Sequence, residues 1–385
     1  MSGLVTRRDG AEDGAALKLL IQPEDGVLPL VDAINKAKSR VEIAIFRFDR
    51  SEIERALESA INRGVFVHAL IAYTNRGGEK ELRELEMRLL QAGVTVARTS
   101  DDLVRYHGKY VIIDRRELHV LAFNFTRLDI DHSRSFGLIT RNAKLVQEAA
   151  RLFEADVTRQ PYTCASSALV VSPVNARKQL AALIQSAKKE LLIYDPEVSD
   201  PSMVRLLEER ANAGVVVKII GRLSKRGAKL QQHKLSKPRL HARCIIRDGV
   251  AAFVGSQSLR EVELGSRREV GLIFRDSKLV ARLAKTFQND WEAAEQTAQR
   301  TAAQESAPAT RVAKKVAKAV TRDLPPIAPV LQLVVKEIVG PLAGVDLDAA
   351  VVEDSVKDAV KEAVRDAVLD AVEDAVNQDE LAHVR

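Results

Sequence analysis

The sequence predicts an α/β protein: two tandem α/β sandwich domains with pseudo-two-fold symmetry, plus a helical C-terminal tail. Three observations predict it. The chain repeats itself from near its start to Trp291. Within each repeat, short β-branched runs alternate with amphipathic stretches of helical period, the mark of a helix-covered sheet. After Trp291 the composition shifts to alanine with interleaved charges, a good helix former.

The elements follow in order. Each repeat opens with a proline, a helical stretch and an apolar strand-like run, Pro23 through VEIAIFRF and Pro173 through ELLIYD. Asp49-Arg-Ser-Glu-Ile53 is echoed by Asp200-Pro-Ser-Met-Val204. An amphipathic stretch then ends at Arg63-Gly64-Val65 in one copy and Ala213-Gly214-Val215 in the other, where glycine suits a helix C-terminus. The runs VFVHALIA and VVVKIIG fit buried strands. The first copy adds a helical segment, Glu79–Gln91, before Val94–Ala97, and the second has a shorter basic loop there. From that point the register is fixed. His107, Lys109, Asp114, Gly137, Leu138 and Ile139 meet His241, Arg243, Asp248, Gly271, Leu272 and Ile273, each 134 positions later.

The expected organisation is a first domain over 1–160 and a second over 161–295. A linker or loose helix with a proline-containing segment follows over 296–345, and an acidic Ala/Val-rich helical tail over 346–385. In the tail, Val356, Val360, Val364, Val368, Val372 and Val376 recur every four residues. A four-residue step turns about 400° on a helix, so the stripe drifts by about 40° per repeat. That is no heptad seam, so a long coiled coil is not expected. The tail reads as a solvated helix with a possible protein partner.

Composition bounds the class. The chain has 385 residues, 46% apolar, 29% charged and 4% aromatic, which excludes a disordered, collagenous or disulfide-scaffold protein. Cys164 and Cys244 read as free thiols in a reducing cytoplasm. No apolar run reaches the roughly 18 residues of a spanning helix, and the N-terminus lacks an apolar signal core. The expected location is therefore cytoplasmic, with peripheral contact to anionic membrane open to the apolar stretch 325–344. The net charge of +6 hides an asymmetry. Residues 346–385 are strongly acidic, leaving a basic body suited to phosphodiesters. The tail could shield that surface.

The candidate chemistry lies in the repeated frame. The first copy reads Tyr106-His107-Gly-Lys109 and on to Asp114, an H-x-K-x4-D pattern, with Leu121-Ala122-Phe123-Asn124 after it. The second reads Leu240-His241-Ala-Arg243 and on to Asp248, followed by Gly255-Ser256-Gln257-Ser258. On a strand-like run His107 and Lys109 share a face, as do His241 and Arg243. An imidazole beside a cation suits a phosphoryl group. The cation stabilises anionic oxygens, one imidazole attacks phosphorus and the other protonates the leaving oxygen. Asn124, Ser256 and Ser258 can donate to those oxygens. His68, His119, His132 and His233 have no counterpart in the other copy and read as structural. No His/Cys/Asp/Glu group has metal-ligand spacing, and no cofactor is implied.

These paired frames resemble the phospholipase D superfamily, which includes phospholipases D, cardiolipin synthases, phosphatidylserine synthases and several nucleases. The resemblance covers roughly residues 18–292. It implies an active site at the interface of two phospholipase D-like domains and a metal-independent, two-step reaction through a phosphohistidine. Carried over, His107 and His241 are the nucleophile and the general acid/base, in either order. Lys109 and Arg243 hold the phosphate, helped by Asn124, Ser256 and Ser258. Asp114 and Asp248 orient rather than react. A glutamate usual near the family site is Glu269 in the second copy, but its counterpart is Ser135. Arg243 stands for the family's lysine, Leu121-Ala122 for Gly-Ser, and Ser258 for asparagine.

Substrate is less legible. Nine Lys/Arg and no Asp/Glu lie between Arg222 and Arg247, just before and after His241. This basic lip suits an anionic lipid surface or a nucleic acid, but the loop has no aromatic residue for base stacking. The expectation is a phosphodiesterase or phosphatidyltransferase acting on glycerophospholipid. A nuclease of the same superfamily and a non-catalytic phosphate-binding scaffold are the alternatives.

Overall fold

The structure, a computed structural model, describes residues 17–73, 79–224 and 230–306, with side chains to 300. The expected segments beyond Ser306, including the acidic tail, lie outside the described residues. Two compact units divide at Glu295 and Gln296. The larger holds both repeats.

The first repeat runs β1 (Lys18–Gln22), α1 (Leu28–Lys36), β2 (Arg40–Ile45), α2 (Ser51–Asn62), β3 (Phe66–Ile71), α3 (Glu79–Gln91), β4 (Thr95–Arg98) and β5 (Arg105–Tyr106). It continues with β6 (Tyr110–Ile113), β7 (Glu117–Leu121), α4 (Arg127–Asp131), β8 (Ser133–Thr140) and α5 (Ala143–Thr158). The second begins β9 (Leu169–Val171), α6 (Ala176–Gln185), β10 (Glu190–Val198), α7 (Pro201–Asn212), β11 (Val216–Leu223) and β12 (Gln231–His233). It ends with β13 (Arg239–Leu240), β14 (Cys244–Arg247), β15 (Ala251–Gly255), α8 (Glu261–Gly265), β16 (Arg267–Arg268), β17 (Val270–Phe274) and α9 (Ser277–Ser306). The last helix runs past position 296, where the sequence reading begins a linker.

The helices form where apolar spacing demands it. In α2 the buried residues are Ile53, Ala56, Leu57 and Ala60, a stripe of helical period. Gly64 then takes φ +82°, and the Val65 N–H donates to the Ala60 carbonyl at 3.0 Å, a left-handed cap that ends the helix. Gly214 does the same for α7 at φ +91°. Asp200 caps the start of α7, its carboxylate accepting from the Ser202 and Met203 N–H groups, with Pro201 in the first turn.

Two mixed sheets result. One has the order β1-β8-β7-β6-β2-β3-β4, and the other β12-β11-β10-β14-β15-β17-β9. Read through the repeat, β9 replaces β1, β17 replaces β8 and β10 replaces β2, so the topology is the same. The cores explain the layering. The α1, α2 and α3 side pack on the outer face of the first sheet around Leu30, Ile53, Leu57 and Leu85. The α6 and α7 side cover the second around Leu180, Met203 and Leu207. A third cluster joins the inner faces of both sheets with α5 and α9, through Leu138, Phe153, Tyr194, Leu272, Phe287 and Trp291. The sheets are thus buried on both faces, and apolar burial at about 25 cal/mol per Å² glues the halves together.

The seam between the halves is a reciprocal strand exchange. Short β13 of the second half pairs parallel with β8 of the first, Arg239 against Ser133 and Leu240 against Arg134. Short β16 pairs parallel with β5, Arg267 against Arg105 and Arg268 against Tyr106. Moving the first-repeat residue of either pair up by 134 and its second-repeat partner down by 134 gives the other pair, as a two-fold axis requires. No described helix is long and apolar enough to cross a membrane.

Candidate active site

The two histidines follow the exchanged strands. His107 lies between β5 and β6, and its N–H donates to the Arg268 carbonyl at 2.7 Å. The His241 N–H donates to the Arg134 carbonyl at 3.0 Å. Each histidine backbone is therefore pinned by the opposite repeat. Two buried ion pairs hold the pinning residues. Arg134 reaches Asp290 at 2.7 Å and the Gln22 carbonyl at 2.8 Å. Arg268 reaches Asp156 at 3.1 Å and the Ser172 carbonyl at 3.1 Å. Breaking such a buried pair costs about 3–5 kcal/mol, because one charge is left uncompensated.

His107 is held on three sides. Its Nδ1 lies 2.9 and 3.0 Å from the two Glu269 oxygens, so the ring carries its proton on Nδ1 and donates it to the carboxylate. Its Nε2 is then an acceptor, and Lys109 Nζ donates to it at 2.8 Å. The Phe46 ring meets the imidazole edge-on at 4.5 Å between centroids. Burial, then Lys109 and Arg243, hold the His107 pKa well below the usual imidazole value. The ring is neutral, with a lone pair on Nε2. Burial also pushes the Lys109 ammonium down to about 7, with Glu269 opposing the fall. Burial raises the Glu269 carboxyl.

His241 is held differently. Burial, then Arg243 and Lys109, push its pKa well below the ordinary value. The cation of each repeat thus acts on the histidine of the other, so the structure brings His107, Lys109, His241 and Arg243 into one cluster. His241 Nδ1 makes no hydrogen bond, and Asp129 Oδ2 stands 3.6 Å away. That distance exceeds a hydrogen bond. The Arg243 guanidinium donates to the Ser258 hydroxyl at 3.3 Å and the His241 carbonyl at 3.0 Å.

The supporting polar residues divide by repeat. The Ser256 hydroxyl accepts from the Val270 N–H at 3.1 Å and also hydrogen-bonds Glu269. In the first repeat Ala122 replaces that hydroxyl, and the buried Ser135 hydroxyl has no partner. Leu121 stands where the second repeat has Gly255, and a Cβ added at Gly137 would meet it at 2.9 Å. At Gly255 there is no room for a side chain, since an added Cβ would come within 2.6 Å of Gln257, Gly271 and Phe253. Asn124 donates from Nδ2 to Asp129 at 2.7 Å and keeps a second amide hydrogen for an anion. The Asn124 backbone N–H also donates to Asp129, at 2.9 Å, and the Ser258 N–H makes the matching contact with Glu263 at 2.7 Å in the second half.

Asp114 and Asp248 sit elsewhere, at the far ends of β6 and β14 from the cations. Asp114 accepts from the N–H groups of Lys38, Ser39 and Arg40. Asp248 does so from Lys188, Lys189 and Glu190. Both have φ just above +50°. They brace a turn and touch no reacting group. Three of the histidines without counterparts are also placed by packing: His119 pairs with Glu117, and His68 meets Phe153 and His233 meets Trp291 edge-on.

Sequence reasoning passed over Asp129 and Glu263, and the Arg134–Asp290 and Arg268–Asp156 braces. A signal existed. Each member of one set lies 134 positions from its counterpart in the other, the same step that relates the histidines. No cluster of three or more His, Cys, Asp and Glu that could hold a metal occurs among the described residues.

Comparison with known proteins fits this geometry. A polyphosphate kinase from Prosthecochloris aestuarii is 27% identical over 225 residues, 53% of this chain and 31% of that protein. A mitochondrial cardiolipin hydrolase from Danio rerio is 28% identical over 130 residues, 33% of this chain and 56% of that protein. The chain thus spans about a third and just over half of these relatives' lengths. The crystal structure of polyphosphate kinase from Porphyromonas gingivalis superposes with a TM-score of 0.60 at 20% identity, over 72% of this chain and 50% of that one, a likeness of fold. The family described as "Cardiolipin synthase, PLD-like domain" matches residues 30–157 and 180–291, one match per repeat and together more than half the chain. With a histidine–cation frame in each matched segment and the two frames joined at one seam, the chain belongs to the phospholipase D-like family.

Proposed function

We propose that the chain is a phosphodiesterase or phosphatidyltransferase of phospholipase D type, acting on glycerophospholipid through a phosphohistidine on His107. The observation that carries the choice of nucleophile is the tautomer. Glu269 accepts a hydrogen bond from Nδ1–H and so keeps the proton on that nitrogen, leaving Nε2 the lone pair that attack on phosphorus needs. Lys109 and Arg243 receive the anionic oxygens, and Lys109 turns from His107 to the phosphate as it arrives. Nε2 bonds to phosphorus while the bond to the leaving oxygen breaks, and protonated His241 gives that oxygen its proton. In the second step neutral His241 removes a proton from water or an alcohol. The new oxygen bonds to phosphorus and the bond to His107 breaks. His241 must be protonated for the first step. The bound anion offsets the cations that depress its pKa and so favours that form.

The family description and the cardiolipin hydrolase relative support a lipid substrate, as does the basic stretch around His241. Contact with anionic membrane and a cytoplasmic setting belong to the same proposal. A second reading, attack on a phosphoanhydride, is favoured by the polyphosphate kinase relative, whose match is longer than either repeat. Purified protein is incubated separately with phosphatidylglycerol vesicles, single- and double-stranded DNA, and polyphosphate. Lipid turnover that His107→Ala abolishes, with an acid-labile adduct mapped to His107 by mass spectrometry, supports the proposal. Turnover of DNA or polyphosphate alone overturns its substrate, and an adduct on His241 overturns the roles. Phosphate binding without any turnover marks a scaffold.

A further inference from the structure

The second repeat has two buried carboxylates at its site, Glu263 and Glu269, and the first has one, Asp129, because Ser135 stands where Glu269 would. We infer that Asp129 is the positioning residue of His241, taking over in the first repeat the task that Glu269 performs for His107. The inference rests on the roles proposed above and assigns how the acid/base is oriented.

Three contacts carry it. Asp129 Oδ2 is 3.6 Å from His241 Nδ1, whose own hydrogen-bonding capacity is unfilled in a buried position. A buried unpaired imidazole nitrogen is costly, and a short movement of either group closes this gap. The same oxygen, Oδ2, accepts from the Asn124 N–H and side-chain amide at 2.9 and 2.7 Å, which fixes the carboxylate. Its other oxygen accepts from Arg239, which belongs to the strand leading into His241. The carboxylate therefore bridges the two sides of the seam. After burial, the largest influences on His241 all disfavour its protonated form: Arg243, Lys109, Arg239 and the neighbouring His107 ring. Asp129 is the anion set against them at Nδ1. An anion there favours Nδ1–H and leaves Nε2 to exchange protons with the leaving and attacking oxygens.

The division of labour is physically sensible. A nucleophile needs a fixed lone pair, which the bidentate contact with Glu269 supplies. An acid/base must gain and lose a proton within each cycle. A looser contact at 3.6 Å tightens as the ring charges and relaxes as it discharges.

The test uses the full chain labelled with ¹⁵N-histidine, with inorganic phosphate as probe and His241→Gln for assignment. His241 is expected as the Nδ1–H tautomer in the parent protein. In Asp129→Asn its titration midpoint should fall by about one unit or more. Activity is then compared on phosphatidylglycerol and on bis(p-nitrophenyl) phosphate, whose leaving group needs no proton. Asp129→Asn should lower lipid turnover about 10–100-fold and the nitrophenyl reaction far less. Asp129→Asn with Ser135→Glu and Ala122→Ser restores a carboxylate in the second repeat's arrangement and should recover the midpoint. An unchanged His241 midpoint and tautomer in Asp129→Asn overturns the inference, as does an equal loss on both substrates. If the parent protein turns over neither substrate, the functional reading fails. The imidazole titration still decides the role of Asp129.

Discussion

Behind His107 stands a carboxylate in direct contact; behind His241 stands one at 3.6 Å, with a serine where its equivalent carboxylate would be. The two sites share a backbone. Both histidine N–H groups bond a carbonyl across the seam, and both carbonyls belong to an arginine locked to a buried aspartate. The difference lies in the side chains placed on that common frame. Ser256 and Glu269 in one repeat stand opposite Ala122 and Ser135 in the other, so hydroxyl and anion are absent together from the first repeat. Duplication thus supplies symmetric scaffolding, and substitution at two contacting positions makes the histidines unequal.

The largest effect that would sharpen this comparison is expected at the carboxylates. Glu269→Gln should lower turnover by on the order of 10²–10⁴-fold, the scale of proton-transfer and orientation losses. Ser135→Ala should leave turnover nearly unchanged. Equal losses would mean that the two histidines work alike. Next come the braces. Arg268→Met strips the buried Asp156 of its partner, and a loss of about 3–5 kcal/mol is expected in urea unfolding. Arg134→Met should cost more, since Arg134 engages Glu24 as well as Asp290. A reversed order would show that the seam is not symmetric in energy.

The pH response separates the cations. Burial lowers the Lys109 value to about 7, so its charge is present below that pH and lost as pH rises through it. His107 is held well below the imidazole value and is neutral throughout this window. Affinity for inorganic phosphate should therefore fall above pH 7, approaching about tenfold per unit if the charge is essential. Calorimetric titration reads this, and Lys109→Arg should flatten the profile because arginine keeps its charge. The smallest effect is expected at the turns. Asp114→Asn should cost about 1–3 kcal/mol of stability, and Asp248→Asn less because it lacks the Ser39 hydroxyl bond. Neither should change the pH profile of turnover. A shifted profile would give these aspartates a role in the site.

The repeat, its strand and helix periods, and the pairing of each histidine with a cation were legible because periodicity and register are properties of the linear chain. Glu269 and Ser135 could be contrasted for the same reason. Their contacts could not. Glu269 lies 162 positions from His107, and Asp129 lies 112 from His241; only the parallel pairing of β5 with β16 and of β8 with β13 brings them together. The strand reading of His107 and Lys109 was too simple, since both lie between β5 and β6, where the chain leaves one sheet pairing for another. Asp114 and Asp248 share the motif with the histidines yet turn away from them, because four-residue strands carry them to the opposite end of the sheet.

The sequence by itself determined that the protein is a duplicated α/β chain with an imidazole–cation pair in each copy, because spacing survives translation into strands and helices. The tertiary structure alone decided which carboxylate faces which histidine, and that Lys109 sits buried against His107 with its charge in question near neutral pH. Hydrogen-bond partners and burial are set by the exchange of strands across the seam, and residues of two repeats meet there that the linear chain holds more than a hundred positions apart.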